Sequence, residues 1–313
     1  MRAISPTALH TFESKPTDFI LNYVMKAKRP GQLKVMSIGS AFDARCKAYL
    51  TAELCGGNEK ELYTQLFESS VEPHNRDWAM KESKQLFEWY KQAGALADLV
   101  IELTGFQAEP RFEFSVNRTI IEKAVHTESA TLAIPLTGKP DCYFVNFENA
   151  HVILDWKVNG YCSKASPLAG YVRCRDLTGF NEGTYRGTTA IKHKGIYLGY
   201  GVPLKQDWND QLIIYSWMLG SGEVSFDPEE WILGIEQLAC NLNAPNENKK
   251  LRVASFRLSR EPSAARTLWE RLTRMWQAVQ RGHYFINLSP EESDFRTENI
   301  MSGGADFAWM LRG

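Results

Sequence analysis

The chain has 313 residues, which is long enough to bury a large hydrophobic core in one elaborated domain or two. Its residues are 44% hydrophobic and 23% charged, ordinary values for a folded globular protein, and this excludes disorder as the default. The net charge of −1 provides no overall positive excess for a nucleic-acid partner, so any surface of that kind must be local.

The amino-terminal part of the chain is predicted to be mainly helical. Ser5-Pro6 supplies an N-cap followed by proline at the first helical position, and Lys15-Pro16 predicts a break between two short helices. Apolar residues at helical spacing predict longer helices over 37–54 and roughly 77–96. Asp43 lies beside the apolar stripe of the first of these, a position where an acidic residue usually just meets water.

The pattern changes to strands from about residue 99. Residues 109–116 alternate, with Glu109 on the polar face, and a second strand is predicted from about 138 to 147. Residues 146–149 have the composition of a turn and lead into a third strand, His151–Val158. The last two strands therefore predict a hairpin.

The strand His151–Val158 has one continuous apolar face, and its other face carries Asp155 and Lys157. A hairpin folded about Glu148 and Asn149 places Asp141 opposite Trp156, with Asp155 and Lys157 on the diagonals. The register is open by a residue or more. The hairpin would gather two carboxylates and a lysine into one cluster.

Such a cluster suggests metal-assisted chemistry. Two adjacent carboxylates repel each other, and a divalent cation neutralises them. Mg²⁺, or Mn²⁺, suits Asp141 and Asp155 because it takes one or two carboxylates and leaves room for a phosphate oxygen. Lys157 can orient a water or stabilise developing charge, so hydrolysis of a phosphate ester fits all three residues. The alternative for Asp155 and Lys157 is an exposed, salt-bridged strand face.

Residues 158–206 form a basic insertion that interleaves aromatic residues with glycines. The default interpretation is a solvated loop. Its excess of positive charge beside the predicted site favours contact with phosphates and stacking on bases, with Lys164, Arg173 and Arg175 as candidate substrate-binding residues.

The remainder alternates helices and strands. A helix begins at about Asp207 and places Gln211 and Tyr215 one turn apart on one face. Strands are predicted over 231–239 and 252–258, followed by an amphipathic helix over 262–280.

Three motifs, in this order, resemble the PD-(D/E)XK nuclease superfamily: Gly138-Lys-Pro-Asp141, Ile153-Leu-Asp-Trp-Lys157 and Gln211-Leu-Ile-Ile-Tyr215. The last is similar to the QxxxY helix of the RecB-like and Cas4-like exonuclease branch. The opening Ile4-Ser-Pro-Thr-Ala-Leu-His-Thr-Phe12 resembles the first helical segment of that branch. The motifs are short, and their shared order over roughly residues 4–290 carries the resemblance.

The resemblance implies an α/β fold with a restriction-endonuclease-like core, in which a central mixed β-sheet is flanked by helices. In that arrangement, 1–98 form a helical amino-terminal region of the nuclease fold. Residues 99–290 form the nuclease core with the insertion at 158–206, and 291–313 form a C-terminal tail that we expect to be loosely attached.

The resemblance also implies roles for individual residues. Asp141 and Asp155 would bind metal, Lys157 would serve catalysis, and Gln211 and Tyr215 would hold the substrate strand near the site. Tyr215 also fits a core residue whose hydroxyl is satisfied locally.

Two further acidic residues are candidate metal ligands by the same resemblance. Glu109 stands where members often carry a glutamate on the strand before the Asp strand. Asp43 follows Gly39 by four residues, where the branch usually has a metal-binding histidine; its oxygen still suits Mg²⁺. Iron–sulfur members carry one cysteine near the start and three near the end; Ser14-Lys15-Pro16 has none and no cysteine follows Cys240, so we expect no iron–sulfur cluster.

These residues together predict a Mg²⁺-dependent exodeoxyribonuclease that cleaves DNA phosphodiesters in recombination, repair or phage DNA metabolism. Two alternatives remain: a non-catalytic DNA-binding or assembly module that keeps the nuclease fold, and an RNA-directed enzyme. Besides DNA, the expected partners are a recombination or single-strand-annealing protein and further copies of the chain.

The expected location is the cytoplasm. The six cysteines form no CxxC pair, and the residues after Met1 lack the apolar run of a signal peptide. No segment reaches the apolar length of a membrane span, so no membrane association is expected.

Overall fold

A computed structural model describes most of the chain. The described residues are 2–27, 31–104, 106–112, 115–122, 132–159, 173–176, 190–193, 196–199, 204–227, 231–240 and 251–302.

The described helices lie before residue 105 and after residue 205. They are α1 (Pro6–Ser14), α2 (Pro16–Phe19, continued by a π-helical turn Ile20–Val24), α3 (Lys34–Cys55), α4 (Glu59–Ser70, followed by a 3₁₀ turn Pro73–Asn75), α5 (Arg76–Gln92), α6 (Ala95–Thr104), α7 (Gln206–Leu219), α8 (Pro262–Arg281) and α9 (Pro290–Met301).

The strands of the described residues form one six-stranded sheet and two small two-stranded sheets. They are β1 (Phe106–Phe112), β2 (Val116–Ile121), β3 (Ala133–Gly138), β4 (Cys142–Asn146), β5 (His151–Asn159), β6 (Arg173–Asp176), β7 (Ala190–His193), β8 (Ile196–Gly199), β9 (Trp231–Cys240) and β10 (Leu251–Ser259). The large sheet has the order β1-β4-β5-β9-β10-β6, and the small sheets pair β2 with β3 and β7 with β8. Strands β5 and β9 are parallel and the other pairs are antiparallel, so the predicted mixed sheet is confirmed.

Helices cover both faces of this sheet. Ile153 of β5 belongs to one hydrophobic cluster together with residues of α1, α7, α8 and α9. Its neighbours Val152 and Leu154 point the other way, into a second cluster with α3, α5 and α6. Burial of each such side chain contributes about 1.5–3 kcal/mol, so both faces fix the position of β5. The fold is the predicted α/β arrangement of a central sheet between helices.

The hairpin of β4 and β5 forms around the predicted turn, with a different register. Asn149 adopts a positive φ of 60°, and the side chain of Asn146 accepts hydrogen bonds from the backbone N–H groups of Glu148 and Ala150. Cys142 pairs with Leu154, so the pairing is shifted by one residue from the predicted one.

Asp141 does not lie within a strand, contrary to the predicted strand over 138–147. Strand β3 ends at Gly138 and β4 begins at Cys142. Pro140 has no N–H to donate to a β-ladder, which explains why the chain leaves the sheet there. Asp141 therefore projects from the connection just ahead of β4.

Three helices were not predicted. Helix α6 continues to Thr104, so the expected change to strands from about residue 99 is wrong. Helix α4 lies in a stretch interpreted only as polar, and α9 occupies the segment expected to be a loose tail. Ser289 caps α9 in a reciprocal capping box with Glu292, and Ile300 is buried in the first cluster. Residues 290–301 are therefore packed onto the fold.

No described helix is both long enough and apolar enough to cross a membrane.

Candidate active site

In the part of the chain that the structure describes, seven polar side chains from both helical layers and the sheet meet at one end of the β4–β5 hairpin. They are Asp43 and Lys47 on α3, Asp141 ahead of β4, Asp155 and Lys157 on β5, and Gln211 and Tyr215 on α7.

Strand β5 holds two of these residues rigidly. Leu154 and Trp156 are buried in the second cluster, so alternation turns Asp155 and Lys157 toward α7. The Lys157 ammonium forms an ion pair with Asp155 Oδ2 and donates to Gln211 Oε1 at 2.9 Å. The predicted strand face is thus a buried pair rather than an exposed salt bridge, because Asp155 is only 3% exposed.

Asp141 uses both carboxylate oxygens. Oδ1 accepts from Lys47 Nζ at 2.9 Å, and Oδ2 accepts from the backbone N–H of Trp156 at 3.1 Å. Burial raises the pKa of Asp141, but the ammonium groups of Lys47 and Lys157 and the Trp156 amide outweigh burial and leave the pKa below its usual value. Asp141 is therefore an ionised acid beside Asp155.

Asp155 has the opposite tendency. Burial, and next the charge of Asp141, raise its pKa to about 7, although Lys157 acts to lower it. The two carboxyl groups are therefore close enough that the charge of Asp141 opposes ionisation of Asp155, and a bound cation would relieve that repulsion.

Gln211 connects the strand to α7. Its Nε2 donates to Asp155 Oδ1 at 2.9 Å and to Tyr215 Oη at 3.0 Å, while its oxygen accepts from Lys157. Tyr215 Oη donates in turn to the carbonyl of Lys139 at 3.3 Å. The structure thus brings Gln211 and Tyr215 to the predicted cluster, where the Gln211 amide fixes the orientation of Asp155 and Lys157.

Gly138 allows the Tyr215 ring to approach. A Cβ at this position would clash with Cε1 and Cδ1 of that ring. The glycine that opens the motif Gly138-Lys-Pro-Asp141 therefore makes room for α7 against the connection that carries Asp141.

Asp43 joins the site through a residue that the sequence analysis missed. Lys47 Nζ lies 2.6 Å from Asp43 Oδ2 and 2.9 Å from Asp141 Oδ1, so it links Asp43 to the rest of the cluster. Burial, and next the charge of Asp141, raise the pKa of Asp43 to about 7. Lys47 follows Asp43 by one helical turn, and this spacing for an acid–base pair was the available signal.

Comparison with known proteins identifies the family of this chain. A family model described as PD-(D/E)XK nuclease superfamily matches residues 3–168, more than half of the sequence. The chain belongs to the PD-(D/E)XK nuclease superfamily. The matched range of this PD-(D/E)XK protein includes Asp43, Lys47, Asp141, Asp155 and Lys157, whereas Gln211 and Tyr215 lie beyond it.

Other comparisons add little to this assignment. No curated protein matches the chain. A solved structure described as "Crystal structure of SSO0001" is similar at 11% sequence identity and a TM-score of 0.27, covering 91% of this chain and 97% of that one.

The acidic side chains fit an oxygen-preferring divalent cation. Asp141 and Asp155 offer hard oxygen ligands, and a cation between them would relieve the repulsion that, after burial, raises the pKa of Asp155. Among the described residues, no group of three or more His, Cys, Asp or Glu side chains is disposed as a ready-made metal site. The ammonium groups of Lys47 and Lys157 hold these carboxylates instead.

The side chains of four predicted site residues lie outside the described part of the structure. The backbone of Glu109 lies in β1, which pairs with β4, but its side chain is outside the described part. Arg173 and Arg175 lie in β6, at the edge of the sheet next to β10, also without described side chains. Lys164 is outside the described residues altogether.

Proposed function

We propose that this protein is a divalent-metal-dependent nuclease that hydrolyses DNA phosphodiesters, with Mg²⁺ or Mn²⁺ as cofactor. The observation that carries the proposal is the contact set of Asp155, whose carboxyl lies beside Asp141 and is paired with Lys157 on a buried strand. This constellation has the residue types of the superfamily to which the chain belongs.

Each side chain has a distinct role in the proposed reaction. Asp141 and Asp155 would hold the cation. When bound, the cation neutralises these carboxylates and polarises a phosphodiester oxygen. Lys157 places a fixed positive charge where negative charge develops on the phosphate, and burial strengthens that interaction. Gln211 acts as a positioning residue because its amide contacts Asp155, Lys157 and Tyr215.

We further propose that the protein acts as an exonuclease in DNA recombination, repair or phage DNA metabolism, and that it does so in the cytoplasm. In this proposal the helical region (1–98) and the nuclease core (99–290), with its insertion (158–206), act as one unit. The order of the Asp141, Asp155 and Gln211 motifs supports the exonuclease assignment by resemblance. The basic composition of the insertion supports contact with the phosphates of the substrate.

The test compares DNA cleavage by wild type, Asp155→Ala and Lys157→Ala with Mg²⁺ or Mn²⁺ on end-labelled duplex, single-stranded DNA and RNA. Loss of a positioned charged group at the reacting phosphate lowers kcat by about 10²- to 10³-fold, so we expect both variants to lose activity by at least that factor. Products that shorten from an end identify exonucleolytic action, whereas internal cuts identify an endonuclease.

Matched control variants are available on α5. Asp77 and Lys84 are exposed and lie outside the site, so Asp77→Ala and Lys84→Ala should cleave as wild type does. Equal cleavage by wild type and both site variants would refute the active-site assignment. Tight DNA binding without cleavage, unchanged by Asp155→Ala, would identify a non-catalytic DNA-binding module instead.

A further inference from the structure

Lys47 is a buried lysine between two acids of the site. Its side chain is only 1% exposed, and its Nζ contacts Asp43 Oδ2 at 2.6 Å and Asp141 Oδ1 at 2.9 Å. None of the motifs that resemble the superfamily includes it. The catalytic role proposed above for Lys157 leaves Lys47 without a function.

The environment of Lys47 keeps it charged. Burial alone disfavours an ammonium, but two carboxylate oxygens within hydrogen-bond distance, Asp43 Oδ2 and Asp141 Oδ1, compensate for the lost solvation. A buried charge is tolerated when it is paired and hydrogen-bonded, and both conditions hold here. The position between these two carboxylates is therefore occupied by a permanent positive charge.

The charges at the site set a limit on metal binding. Among the described side chains that pair with one another here, Asp43, Asp141 and Asp155 with the ammonium groups of Lys47 and Lys157 leave one net negative charge when all five groups are ionised. One divalent cation reverses that sign and a bound phosphodiester then balances it, whereas two divalent cations would leave a buried excess of positive charge. Low effective dielectric makes such an excess costly.

We infer that Lys47 is a built-in cation that takes the place of a second metal, so that this chain binds one divalent ion, at Asp141 and Asp155. This inference rests on the proposed function, because it concerns the number of metal ions at the same site. Asp43 then serves to hold Lys47 rather than to bind the catalytic metal.

Removal of the lysine should open a second site. Asp43 Oδ1 is buried without a hydrogen-bond partner, and Asp43 Oδ2 and Asp141 Oδ1 both lose the Lys47 ammonium in Lys47→Ala. Two carboxylate oxygens then face the space that the side chain leaves, and the other oxygen of Asp43 is a third potential ligand. We expect a second Mn²⁺ to bind there.

The experiment counts Mn²⁺ ions per chain by calorimetry and by electron paramagnetic resonance, without DNA. We expect one Mn²⁺ in wild type and two in Lys47→Ala, the second pair showing the spin coupling of neighbouring ions. Lys47→Arg keeps the charge and should bind one. Lys34→Ala removes an exposed lysine from the first turn of the same helix and should also bind one.

The outcomes separate this inference from the proposed function. Two Mn²⁺ ions in wild type, with cleavage that Asp155→Ala abolishes, would overturn the inference alone. No Mn²⁺ binding and no cleavage would overturn both. If Lys47→Ala does not fold, the numbers of Mn²⁺ ions bound by wild type and by Lys47→Arg still test the inference. Two Mn²⁺ ions in either protein would contradict the proposed role of Lys47.

Discussion

Asp141 and Asp155 lie close together, yet burial and neighbours move their pKa values apart. Lys47 and the Trp156 amide hold Asp141 in its charged form, whereas Asp155 is buried against that charge. Because the two groups interact, they titrate as a pair, and the proton of the pair resides mainly on Asp155. In the metal-free protein, the acid of the DXK motif is therefore the one that is hard to ionise.

This pKa shift predicts a pH-dependent stability difference for Asp155→Asn. The Asp155 carboxyl has a folded-state pKa of about 7 against an ordinary 3.8, so the folded state binds more protons across that window. The contribution of Asp155 to the free energy of unfolding accordingly falls as pH rises from about 4 to about 7. Relative to wild type, Asp155→Asn should gain stability across that range and level off above it.

The measurement is chemical denaturation of wild type and Asp155→Asn at several pH values in the presence of a chelator. Asp77→Asn, at an exposed position, is the control and should show a constant difference from wild type. If the difference in the free energy of unfolding between Asp155→Asn and wild type also stays constant with pH, the raised pKa of the buried Asp155 carboxyl would be contradicted.

Gly138 leads to a prediction about packing. In Gly138→Ala, the added methyl overlaps the Tyr215 ring, so either α7 or the connection to Asp141 must move. Overpacking of this kind costs about 1–3 kcal/mol in the free energy of unfolding. We also expect a lower kcat, because Tyr215 contacts the amide of Gln211.

Gly39→Ala provides the matched control for this change. Gly39 lies inside α3, and a Cβ there would meet nothing within 4 Å. Alanine in place of glycine inside a helix stabilises by about 0.5–1 kcal/mol. Urea denaturation of both variants tests the pair; equal stability of Gly138→Ala and wild type would show that the ring has room.

Arg257 joins helix α6 to strands β9 and β10 beneath the second hydrophobic cluster. Its guanidinium donates to both oxygens of Glu102 on α6 and, at 2.7 Å, to Glu236 on β9. Glu236 also accepts from Ser255 and from Tyr90. Because Arg257 and Glu236 are almost fully buried, these contacts link the elements through desolvated charge.

Arg257→Ala should therefore be strongly destabilising. Removing one partner of a buried ion pair leaves uncompensated charge and costs about 3–5 kcal/mol. Arg274 is exposed on α8, and Arg274→Ala should change the free energy of unfolding by less than about 0.5 kcal/mol. Comparable unfolding midpoints for the two variants would rule out a structural role for the Arg257 network.

The limits of sequence-based prediction are visible in two elements. Apolar alternation was sufficient to predict β5 and its chemical face, but the pairing of β4 was shifted by one residue because the turn alone does not determine register. Helix α4 was missed because charged and polar residues dominate its sequence, although Leu62, Tyr63, Leu66 and Phe67 recur at helical spacing. A second, local signal was also available: Asn58 caps the helix and two glutamates occupy the first turn.

The candidate site was predictable to the extent that its residues lie in local motifs. Asp141, Asp155, Lys157 and Gln211 came from such motifs, and the structure brings their side chains together. Lys47 came from none, because its partner Asp141 is distant in the sequence and only packing of α3 against the hairpin brings them together.

Across the molecule, the cluster lies where the two helical layers meet the end of the β4–β5 hairpin. Helix α3 belongs to the layer over Leu154, and α7 belongs to the layer over Ile153. The helices reach the cluster from opposite sides, through Lys47 and Gln211. A shift of either layer would therefore separate groups that the proposed chemistry requires to be in contact.

The pairing of β5 with β9 has a consequence for the order of folding. The hairpin of β4 and β5 forms between neighbouring segments of the chain. The other edge of β5 pairs with β9, beginning with His151 and Trp231, so it can pair only after a segment much later in the chain has been made. Closing so long a loop before any pairing is gained makes this step slow. Until α7 and β9 have been synthesised and docked, Asp155 and Lys157 lie on an open strand edge without Gln211. A ribosome-bound chain that ends before these elements would thus carry the acidic residues of the nuclease motif but lack the assembled site.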